Sequence, residues 1–522
     1  SFVMLTLGNE LQATEKGHER MDMLLKQARK LDSTRLYANG SNVHYGERGC
    51  DEESDFYTSF QGSPDTPIRA TFANMEGYLN HDYPDACHQY EDAMKKIRES
   101  YQKPVFSFEV GQFEVLPDFG QIEDFKGVTL PKNLELIQKK VREKGLEDCW
   151  KQYVEATGEL SRIGYREEVE AALRSPSLSG ISLLGLQDFP GQGTALVGLL
   201  NAFWENKGVT EAATFRQSCA PVTPLARFSK AVYTTDEPFE ADIEVVNYSD
   251  KTINNGIIGW KLADRHGKAI AQGEFPARSL PVGENSMTGS VRCPLDKITE
   301  AKELTLSATL KGTAYTNEWK IWVYPATLSV DKGNIVITDR FTVAEKALKE
   351  GKKVLFNPPY ESLKGLEGKF VPVFWSPVHF SKQAGTMGLL LDPAHPAFAH
   401  FPTEGHTDWQ WWRLTTESKT LCIDSLYTEV TPLVECVDNF ANNRRLANLF
   451  ETNCLNGKLI MCSMDLLREQ ARSPEKKQLL HSLVEYMKSG AFNPAPHTSP
   501  DVIARFLTAG QSSSREKPES IY

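Results

Sequence analysis

The stretch FVMLTLGNEL, residues 2–11, begins as a run of apolar residues and turns polar at Gly8, Asn9 and Glu10. Short continuous apolar runs of this kind are typical of strands that are buried on both faces of a parallel sheet. An amide and a carboxylate that follow such a strand lie at its carboxyl end, where α/β folds place their functional residues. The stretch therefore predicts a buried parallel strand with a candidate site at its end.

The first 205 residues alternate apolar runs with helical patterns. The predicted strands cover residues 2–7, 35–39, 55–60, 104–109 and 180–188, and the predicted helices cover 16–31, 84–102, 133–146, 148–174 and 194–205. This alternation predicts parallel strands joined by crossover helices. Five strands are too few to close an eight-stranded barrel, but they fit its second half, strands four to eight. The sequence also starts at Ser1 rather than Met, so we expect an N-terminally truncated α/β chain that begins inside a (β/α)8 TIM barrel.

The sequence pattern changes twice after this region. Short alternating segments with turn residues between them predict an immunoglobulin-like β-sandwich, and a second alternation of strands and helices predicts a three-layer α/β domain with an open sheet. The tail is rich in Pro, Ser and charged residues, which indicates disorder. The predicted domains are a catalytic barrel at 1–223, a sandwich at 224–326, an α/β domain at 327–490 and a disordered tail at 491–522.

Composition excludes several classes of partner and cofactor. The 522 residues carry 58 Lys and Arg against 69 Asp and Glu, and no basic block stands out, so nucleic acid and anionic membranes are poor partners. No apolar run reaches the roughly 18 residues of a membrane span. The nine cysteines form no Cys-x-x-Cys pair, and the Gly-rich stretch DFPGQGTALVG, residues 188–198, lacks the Lys-Ser/Thr ending of a phosphate-binding loop. We therefore expect neither a metal nor a cofactor.

Two glutamates end predicted strands of the barrel. Glu10 closes MLTLGNE and Glu109 closes PVFSFE, and a loop follows each of them. Two carboxyl groups about 5–5.5 Å apart suit retaining glycoside hydrolysis, in which one protonates the leaving oxygen and the other attacks the anomeric carbon. That chemistry requires the pKa of the acid to be raised and the nucleophile to stay ionised. The competing interpretation is that Glu10 caps a helix and Glu109 is a solvated loop charge.

The Asn9-Glu10 pair after one strand, Glu109 at the end of a later strand and a sandwich after the barrel resemble glycoside hydrolase family 2. This family of retaining exo-glycosidases includes β-galactosidases, β-glucuronidases and β-mannosidases. The stretches FSFEVGQFEVLPDFGQIEDFKG and LLGLQDFPGQGTALVGLLNAFWENKG are similar to a subgroup from polysaccharide-degrading gut bacteria, whose C-terminal α/β region carries sequence like FPTEGHTDWQWW.

The resemblance implies a role for each of the three residues. Asn9 would bind the sugar 2-hydroxyl, Glu10 would be the general acid/base, and Glu109 would be the nucleophile. The implied partner is an oligo- or polysaccharide, with terminal β-galactosides as the first expectation, and the implied location is the bacterial periplasm or the exterior. The alternatives are a β-glucuronidase, a β-mannosidase, or a carbohydrate-binding or scaffold protein that has lost catalysis.

Other polar and aromatic residues near predicted strand ends are candidates for substrate binding. They are Asn42, His44, Tyr57, Gln187 and Asp188. The family's tryptophan at the end of strand eight is absent, so Gln187 or Asp188 could replace part of that subsite. Each candidate has a structural alternative, such as a solvated loop for His44 or a buried structural carboxylate for Asp188.

The predicted α/β domain resembles the glutamine-amidotransferase fold. Enzymes of that fold need a cysteine nucleophile on a sharp strand-to-helix turn, and no Gly-x-Cys-x-Gly turn is present here. We therefore expect a structural or docking module without catalysis of its own.

Overall fold

The computed structural model describes residues 2–11, 14–42, 52–62, 66–70, 77–383 and 385–508. The chain is a mixed α/β protein built from several sheets, and the described residues form no closed barrel. The strands of the first region are β1 (Met4–Thr6), β2 (Leu36–Ala38), β3 (Tyr57–Ser59), β4 (Val105–Gly111) and β5 (Gly180–Leu184). Its helices are α1 (Glu15–Leu31), α2 (Tyr78–His81), α3 (Glu91–Arg98), α4 (Lys132–Glu143), α5 (Glu147–Leu173) and α6 (Ala212–Ser218).

The five strands of the first region follow one another in chain order. β1 pairs with β2, and β3, β4 and β5 form a second sheet, with every pairing parallel. The two sheets are joined by backbone hydrogen bonds from Asp55 to the Tyr37 carbonyl at 2.7 Å and from Asn42 to the Thr58 carbonyl at 2.8 Å. All five carboxyl ends therefore point the same way, and the five predicted strands overlap the observed ones.

Helix α1 shows why the crossover segments are helical. Thr14 accepts the Gly17 N–H at 3.4 Å through its side chain, which caps the helix, and the buried residues His18, Met21 and Leu25 share one face. That face packs toward the sheet, while charged residues cover the other side.

The predicted helix at 194–205 is wrong. Thr194 and Trp204 have φ angles of 60° and 69°, in the left-handed region, which no α-helix tolerates. Leu200 instead forms isolated bridges with Gln187 and Asn206. The segment is an irregular loop that folds back on the end of β5.

The second region is a β-sandwich. Its strands are β6 (Val222–Arg227), β7 (Val232–Thr234), β8 (Pro238–Asn247), β9 (Ile253–Gly256), β10 (Ile258–Asp264), β11 (Ala269–Glu274), β12 (Arg278–Leu280), β13 (Asn285–Pro294), β14 (Lys302–Leu310) and β15 (Thr316–Tyr324). One sheet has the order β11-β10-β14-β15-β7 and the other β13-β8-β6. One apolar cluster contains side chains of both sheets, including Ile243, Leu306 and Ile321, so the two sheets share a core.

Glu170 of α5 fastens the first region to the sandwich. Its carboxylate accepts hydrogen bonds from the Asn317 amide at 3.0 Å and the Trp319 indole at 2.9 Å. The same carboxylate lies 2.6 Å from the guanidinium of Arg174, which is fully buried. Burial alone would raise the pKa of Glu170, but the charges of Arg166 and Arg174 and the two hydrogen bonds keep it below its ordinary value.

The third region has helices on both faces of a mixed sheet. Its strands are β16 (Val336–Thr338), β17 (Lys353–Phe356), β18 (Leu366–Glu367), β19 (Thr386–Leu390), β20 (Lys419–Cys422), β21 (Thr431–Asp438), β22 (Leu446–Cys454), β23 (Gly457–Cys462) and β24 (His497–Thr498). Its helices are α7 (Phe341–Lys349), α8 (Trp412–Thr416), α9 (Pro474–Lys488) and α10 (Pro500–Arg505). In β17, Val354 and Phe356 join the apolar cluster of α7, whereas Leu355 joins the cluster of α9. Successive side chains of β17 thus face helices on opposite sides of the sheet, which gives three layers: helix, sheet and helix.

The predicted disordered tail begins too early. Phe492, Ile503 and Phe506 are buried, β24 pairs with β22, and Leu507 forms a bridge with Leu363. Apolar residues spaced through a Pro-rich segment are enough to dock it on the sheet. The prediction is wrong for 491–508, and residues 509–522 lie outside the described ranges.

A buried carboxyl group lies where the three regions meet. Glu475 at the start of α9 is fully buried, and burial raises its pKa to about 7. Arg413 lies 4.0 Å from it and stacks at 4.3 Å over the ring of Tyr83, a residue of the first region.

Of the helices in the described ranges, none is long and apolar enough to cross a membrane.

Glu475 makes the stability of the fold depend on pH. The folded state holds this proton more tightly than the unfolded chain, so its contribution is present below the ordinary carboxyl pKa and is lost as the pH rises toward 7. We expect the free energy of unfolding of the natural protein to fall, relative to Glu475→Gln, by up to about 1.4 kcal/mol per pH unit in that window. Urea unfolding between pH 4.5 and 8 measures this difference, with Glu485→Gln on the same helix as the control. A difference that does not change with pH would contradict the assignment.

Candidate active site at the carboxyl ends of β1 and β4

Asn9 and Glu10 lie just beyond the end of β1. Asn9 forms a parallel bridge with Ser41, and the Glu10 N–H donates to the Ser41 carbonyl at 3.0 Å. The backbone of Glu10 has a φ angle of 51°, which is rare for a residue with a side chain. Such conformations cluster at functional sites, where the surrounding structure holds them. Both side chains are exposed at the end of the sheet.

Glu109 lies in a β-bulge of β4. The pairing of β4 with β5 shifts by one residue between Phe108 and Val110, so Glu109 is the extra residue. Its φ angle is 56°, again left-handed. A bulge changes the direction of the side chain that it carries. The bulge thus explains how the carboxylate of Glu109, at the end of an apolar strand, comes near Asn9 and Glu10.

Two asparagines connect the glutamates. The Asn42 amide nitrogen lies 3.4 Å from Oε1 of Glu10, and the amides of Asn42 and Asn9 lie near enough to Glu109 to lower its pKa. Ser41 donates to Oδ1 of Asn9 at 2.7 Å, which leaves the Asn9 amide nitrogen for the carboxylate. The structure therefore brings together the predicted residues Asn9, Glu10, Asn42 and Glu109.

Asn42 is fully buried beside the two glutamates and has a φ angle of 71°. Its Oδ1 finds no hydrogen-bond partner in the part of the chain that the structure describes. A buried acceptor left without a donor is costly, which together with the left-handed backbone marks Asn42 as a strained residue of the site.

Arg69, which sequence reasoning missed, lies directly against Glu109. Its Nη1 is 3.6 Å from Oε2 of Glu109 and donates to the carbonyls of Glu109 at 3.0 Å and Phe108 at 3.3 Å. The Arg69 side chain is only 4% exposed. The one sequence signal was an arginine in the apolar context PIRATF shortly after a strand, since buried arginines are rare without a partner.

The environment of Glu109 contains opposing effects on its ionisation. Burial is the largest and raises the pKa, the charge of Arg69 lowers it, the charge of Glu10 raises it, and the two asparagine amides lower it. The net result is a pKa above the ordinary carboxyl value. The chemistry predicts a raised pKa for the proton donor, whereas burial raises the pKa of Glu109, the residue that the resemblance makes the nucleophile.

Glu168 of α5 joins the loops that carry Arg69 and Glu109. Its two carboxylate oxygens accept the N–H groups of Ala70 at 2.8 Å and Gly111 at 2.5 Å. The side chain is buried, and its charge also stabilises the buried cation of Arg69. One carboxylate thus fixes the residue after Arg69 and the residue two positions after Glu109.

Tyr57 lies in the core and not at the site. Its ring packs edge-on against Tyr101 at 6.1 Å between centroids, and its hydroxyl donates to the Gln61 carbonyl at 3.1 Å. Tyr57 pairs in register with Val105, and both side chains belong to the apolar cluster under α3. The prediction that Tyr57 binds substrate is therefore wrong. The aromatic residue of this strand near Arg69 is Phe60, whose ring lies 5.0 Å from the guanidinium.

Asp188 is a structural carboxylate. It is buried and accepts hydrogen bonds from Lys207 at 2.7 Å and from the Gly198 N–H at 2.9 Å, which supports the structural alternative for this residue. Gln187 pairs with Leu200 through its backbone, at the end of β5. His44, another predicted substrate ligand, lies outside the described residues.

The arrangement suits acid–base and nucleophilic chemistry. One carboxylate is exposed at the strand ends, and a second is held by a cation and two amides. Within the described ranges, no cluster of three His, Cys, Asp or Glu side chains is placed to hold a metal ion.

Two families of unknown function match parts of the chain. Residues 237–325 match the family described as Domain of unknown function (DUF8488), and residues 336–508 match Domain of unknown function (DUF8487). No curated protein matches the sequence.

Similar solved structures include bacterial β-glucuronidases. The FMN-binding enzyme from Facaelibacterium prausnitzii is 11% identical with a TM-score of 0.27, over 62% of this chain and 41% of that chain. β-Glucuronidase 2 of Bacteroides uniformis is 10% identical with a TM-score of 0.28, over 62% and 34%. The Parabacteroides merdae enzyme is 13% identical with a TM-score of 0.26, over 64% and 37%. The match thus spans about two fifths or less of each enzyme. Because the TM-scores are low, the function of this chain is argued from the geometry of its own site.

Removing the Glu168 carboxylate tests whether it joins the two site loops. Glu168→Ala leaves two buried N–H groups without an acceptor, and we expect it to lower the free energy of unfolding by about 3 kcal/mol or more. Glu168→Gln keeps one acceptor oxygen and costs less. Urea unfolding measures both changes, with the exposed Glu155→Ala on the same helix as the control. Equal stability of Glu168→Ala and Glu155→Ala would show that the two hydrogen bonds do not brace the fold.

Proposed function

We propose that this protein is a retaining exo-β-glycosidase that removes terminal β-linked sugars from glycans, with β-galactosides as the first substrates to test. The observation that carries the proposal is the approach of Glu10, after β1, to Glu109, in β4, with the Asn42 amide 3.4 Å from Glu10 and near enough to Glu109 to lower its pKa. A pair of carboxyl groups on one site is what glycoside hydrolysis uses, and parallel α/β folds place such residues at the carboxyl ends of their strands.

Each glutamate has one role in a two-step mechanism. In the first step Glu109 attacks the anomeric carbon, an ester bond forms, and the glycosidic C–O bond breaks as Glu10 gives its proton to the leaving oxygen. In the second step Glu10 takes a proton from water, the water oxygen attacks the anomeric carbon, and the ester bond to Glu109 breaks. Glu109 is assigned as the nucleophile because Arg69 and both amides present donors to its ionised form. Glu10 is exposed, as a proton donor to a departing group should be.

The asparagines complete the proposed sugar site. Asn9 lies beside Glu109, where its amide would contact the sugar 2-hydroxyl as the charge develops at the anomeric carbon. Asn42, which is fully buried, would set the position of the carboxylates through its amide nitrogen, 3.4 Å from Glu10. The Asn9 contact involves a sugar hydroxyl and not the group that leaves, which fits an enzyme that recognises a terminal sugar.

The architecture agrees with this proposal. We infer that β1 to β5 are strands four to eight of a (β/α)8 barrel, since they are parallel and in chain order. The second region would then be an immunoglobulin-like sandwich, and the third an α/β domain of the glutamine-amidotransferase kind. A periplasmic or secreted location would expose the enzyme to polysaccharides.

Substitution of the two glutamates tests the mechanism. In the complete natural chain, we expect Glu109→Ala to abolish hydrolysis of aryl β-glycosides and Glu10→Ala to reduce it by about 10²–10⁴-fold. Azide should restore turnover of Glu109→Ala and give a glycosyl azide of inverted configuration, since the anion replaces the lost nucleophile on the opposite face.

A panel of 4-nitrophenyl β-D-galactoside, β-D-glucuronide and β-D-mannoside provides the assay, and the exposed Glu99→Ala provides the control. Activity like that of the natural protein in either glutamate variant would refute the proposal. Sugar binding by calorimetry without turnover of any panel member would favour a binding protein instead.

Arg69 should set the acidic limit of activity. Its charge lowers the pKa of Glu109, so Arg69→Met should raise that pKa and move the acidic limb of the kcat/KM profile to higher pH. Arg69→Lys keeps the charge and should stay closer to the natural profile. An acidic limb that is the same in all three proteins would exclude Glu109 as the group that Arg69 keeps ionised.

A further inference from the structure

A segment of the third region pairs with the strand that carries Glu109. We define the crossing segment as residues 370–383. Phe374 forms an antiparallel bridge with Phe113, the Glu114 N–H donates to the Val373 carbonyl at 3.0 Å, and the Trp375 N–H donates to the Gln112 carbonyl at 2.8 Å. The pairing therefore begins three residues after Glu109. A region more than two hundred residues away in sequence extends the candidate active site.

The peptide of Phe374 is held at both polar groups. The side-chain amide of Gln383 accepts the Phe374 N–H at 2.8 Å and donates to the Phe374 carbonyl at 2.8 Å. This clamp fixes where the ring points. The ring lies 5.4 Å from the guanidinium carbon of Arg69, within the range of a cation–π contact.

Further contacts attach the crossing segment to the first region. Asn80 of α2 accepts the N–H groups of Phe370 at 3.1 Å and Val371 at 3.2 Å, and the Ser376 hydroxyl donates to the Gly193 carbonyl. Trp375 has a φ angle of 59°. A left-handed conformation at a tryptophan persists only where the surrounding contacts impose it.

We propose that the third region is a working part of the active site, in which Phe374 is a positioning residue that holds the Arg69 guanidinium against Glu109. Phe60 contacts the same guanidinium from the first region at 5.0 Å. Two rings on a buried cation restrict its movement and keep its N–H groups directed at the carboxylate. The inference rests on the proposed glycosidase function and assigns part of that function to a region that the sequence predicted to be an inert module.

Charged groups near Glu109 and Arg69 could mask or mimic an effect of Phe374 on the pKa of Glu109. Glu109 is under the charges of Arg69 and Glu10, and Arg69 is under those of Glu168, Glu109 and Tyr90. None of these five belongs to the crossing segment. The crossing segment also pairs with the backbone of residues 112–114, next to Glu109, so the test must separate the ring of Phe374 from this pairing.

The test compares Phe374→Leu with Phe380→Leu in the complete natural chain. Phe380 belongs to the same small cluster, and its ring lies 5.7 Å from the Phe374 ring, so Phe380→Leu matches the loss of a packed ring while the Phe374 ring stays beside Arg69. Leucine keeps the apolar volume and removes the π face. We expect Phe374→Leu to move the acidic limb of kcat/KM upward by about half a pH unit. Phe380→Leu should leave the limb in place even if it lowers the Tm equally.

Two further variants separate positioning from loss of folding. In the Arg69→Met background, Phe374→Leu should cause no further shift, because the cation that it positions is gone. Gln383→Ala removes only the two hydrogen bonds to the Phe374 backbone, and it should move the acidic limb of kcat/KM in the same direction but by less. If Phe374→Leu does not fold, Gln383→Ala takes its place in the test.

The outcomes distinguish this inference from the proposed function. Hydrolysis of the 4-nitrophenyl β-glycosides by the natural protein, with a limb that Phe374→Leu and Gln383→Ala leave unchanged, would overturn only the positioning role. Failure of the natural protein to hydrolyse any of them would overturn the proposed function and this inference with it.

Discussion

The contact between Arg69 and Glu109 is the interaction on which the candidate site depends. Burial raises the pKa of Glu109 and the charge of Arg69 lowers it, and a protonated carboxyl group is a poor nucleophile. Arg69 can be buried there only because carboxylates on both sides, Glu109 and Glu168, offset the loss of its hydration. The cation and the two anions therefore form one unit, and the loops that carry them cannot move independently.

Three parts of the chain hold this unit in place. Parallel pairing of β1 to β5 brings the strand ends together, α5 supplies Glu168 from behind the sheet, and the crossing segment adds backbone pairing and the ring of Phe374. The left-handed backbone at Glu10, Asn42 and Glu109 is the local cost of this convergence. Glycine would relieve this strain at each position but would remove the side chain that the site uses, so the strain is easier to explain by function than by folding.

Much of the fold follows from local sequence patterns, whereas much of the site does not. The apolar runs located β1 to β5, and the carboxylates at their ends located Glu10 and Glu109. Arg69 was missed because it follows β3 by ten residues in a loop, and its partner is forty residues further on. Tyr57 was misplaced because a three-residue strand does not reveal which face it turns to the helices. The contribution of Phe374 depends on contacts between distant regions, which no local pattern contains.

Trapping the covalent intermediate tests the central claim, that Glu109 is a nucleophile paired with Glu10, most directly. The complete natural chain would be treated with a 2-deoxy-2-fluoro-glycosyl fluoride of the sugar that it hydrolyses, digested, and mapped by peptide mass spectrometry. The account predicts one added fluoroglycosyl group, on the peptide that contains Glu109. A label on Glu10, or hydrolysis that proceeds with inversion and leaves no label on the protein, would contradict it.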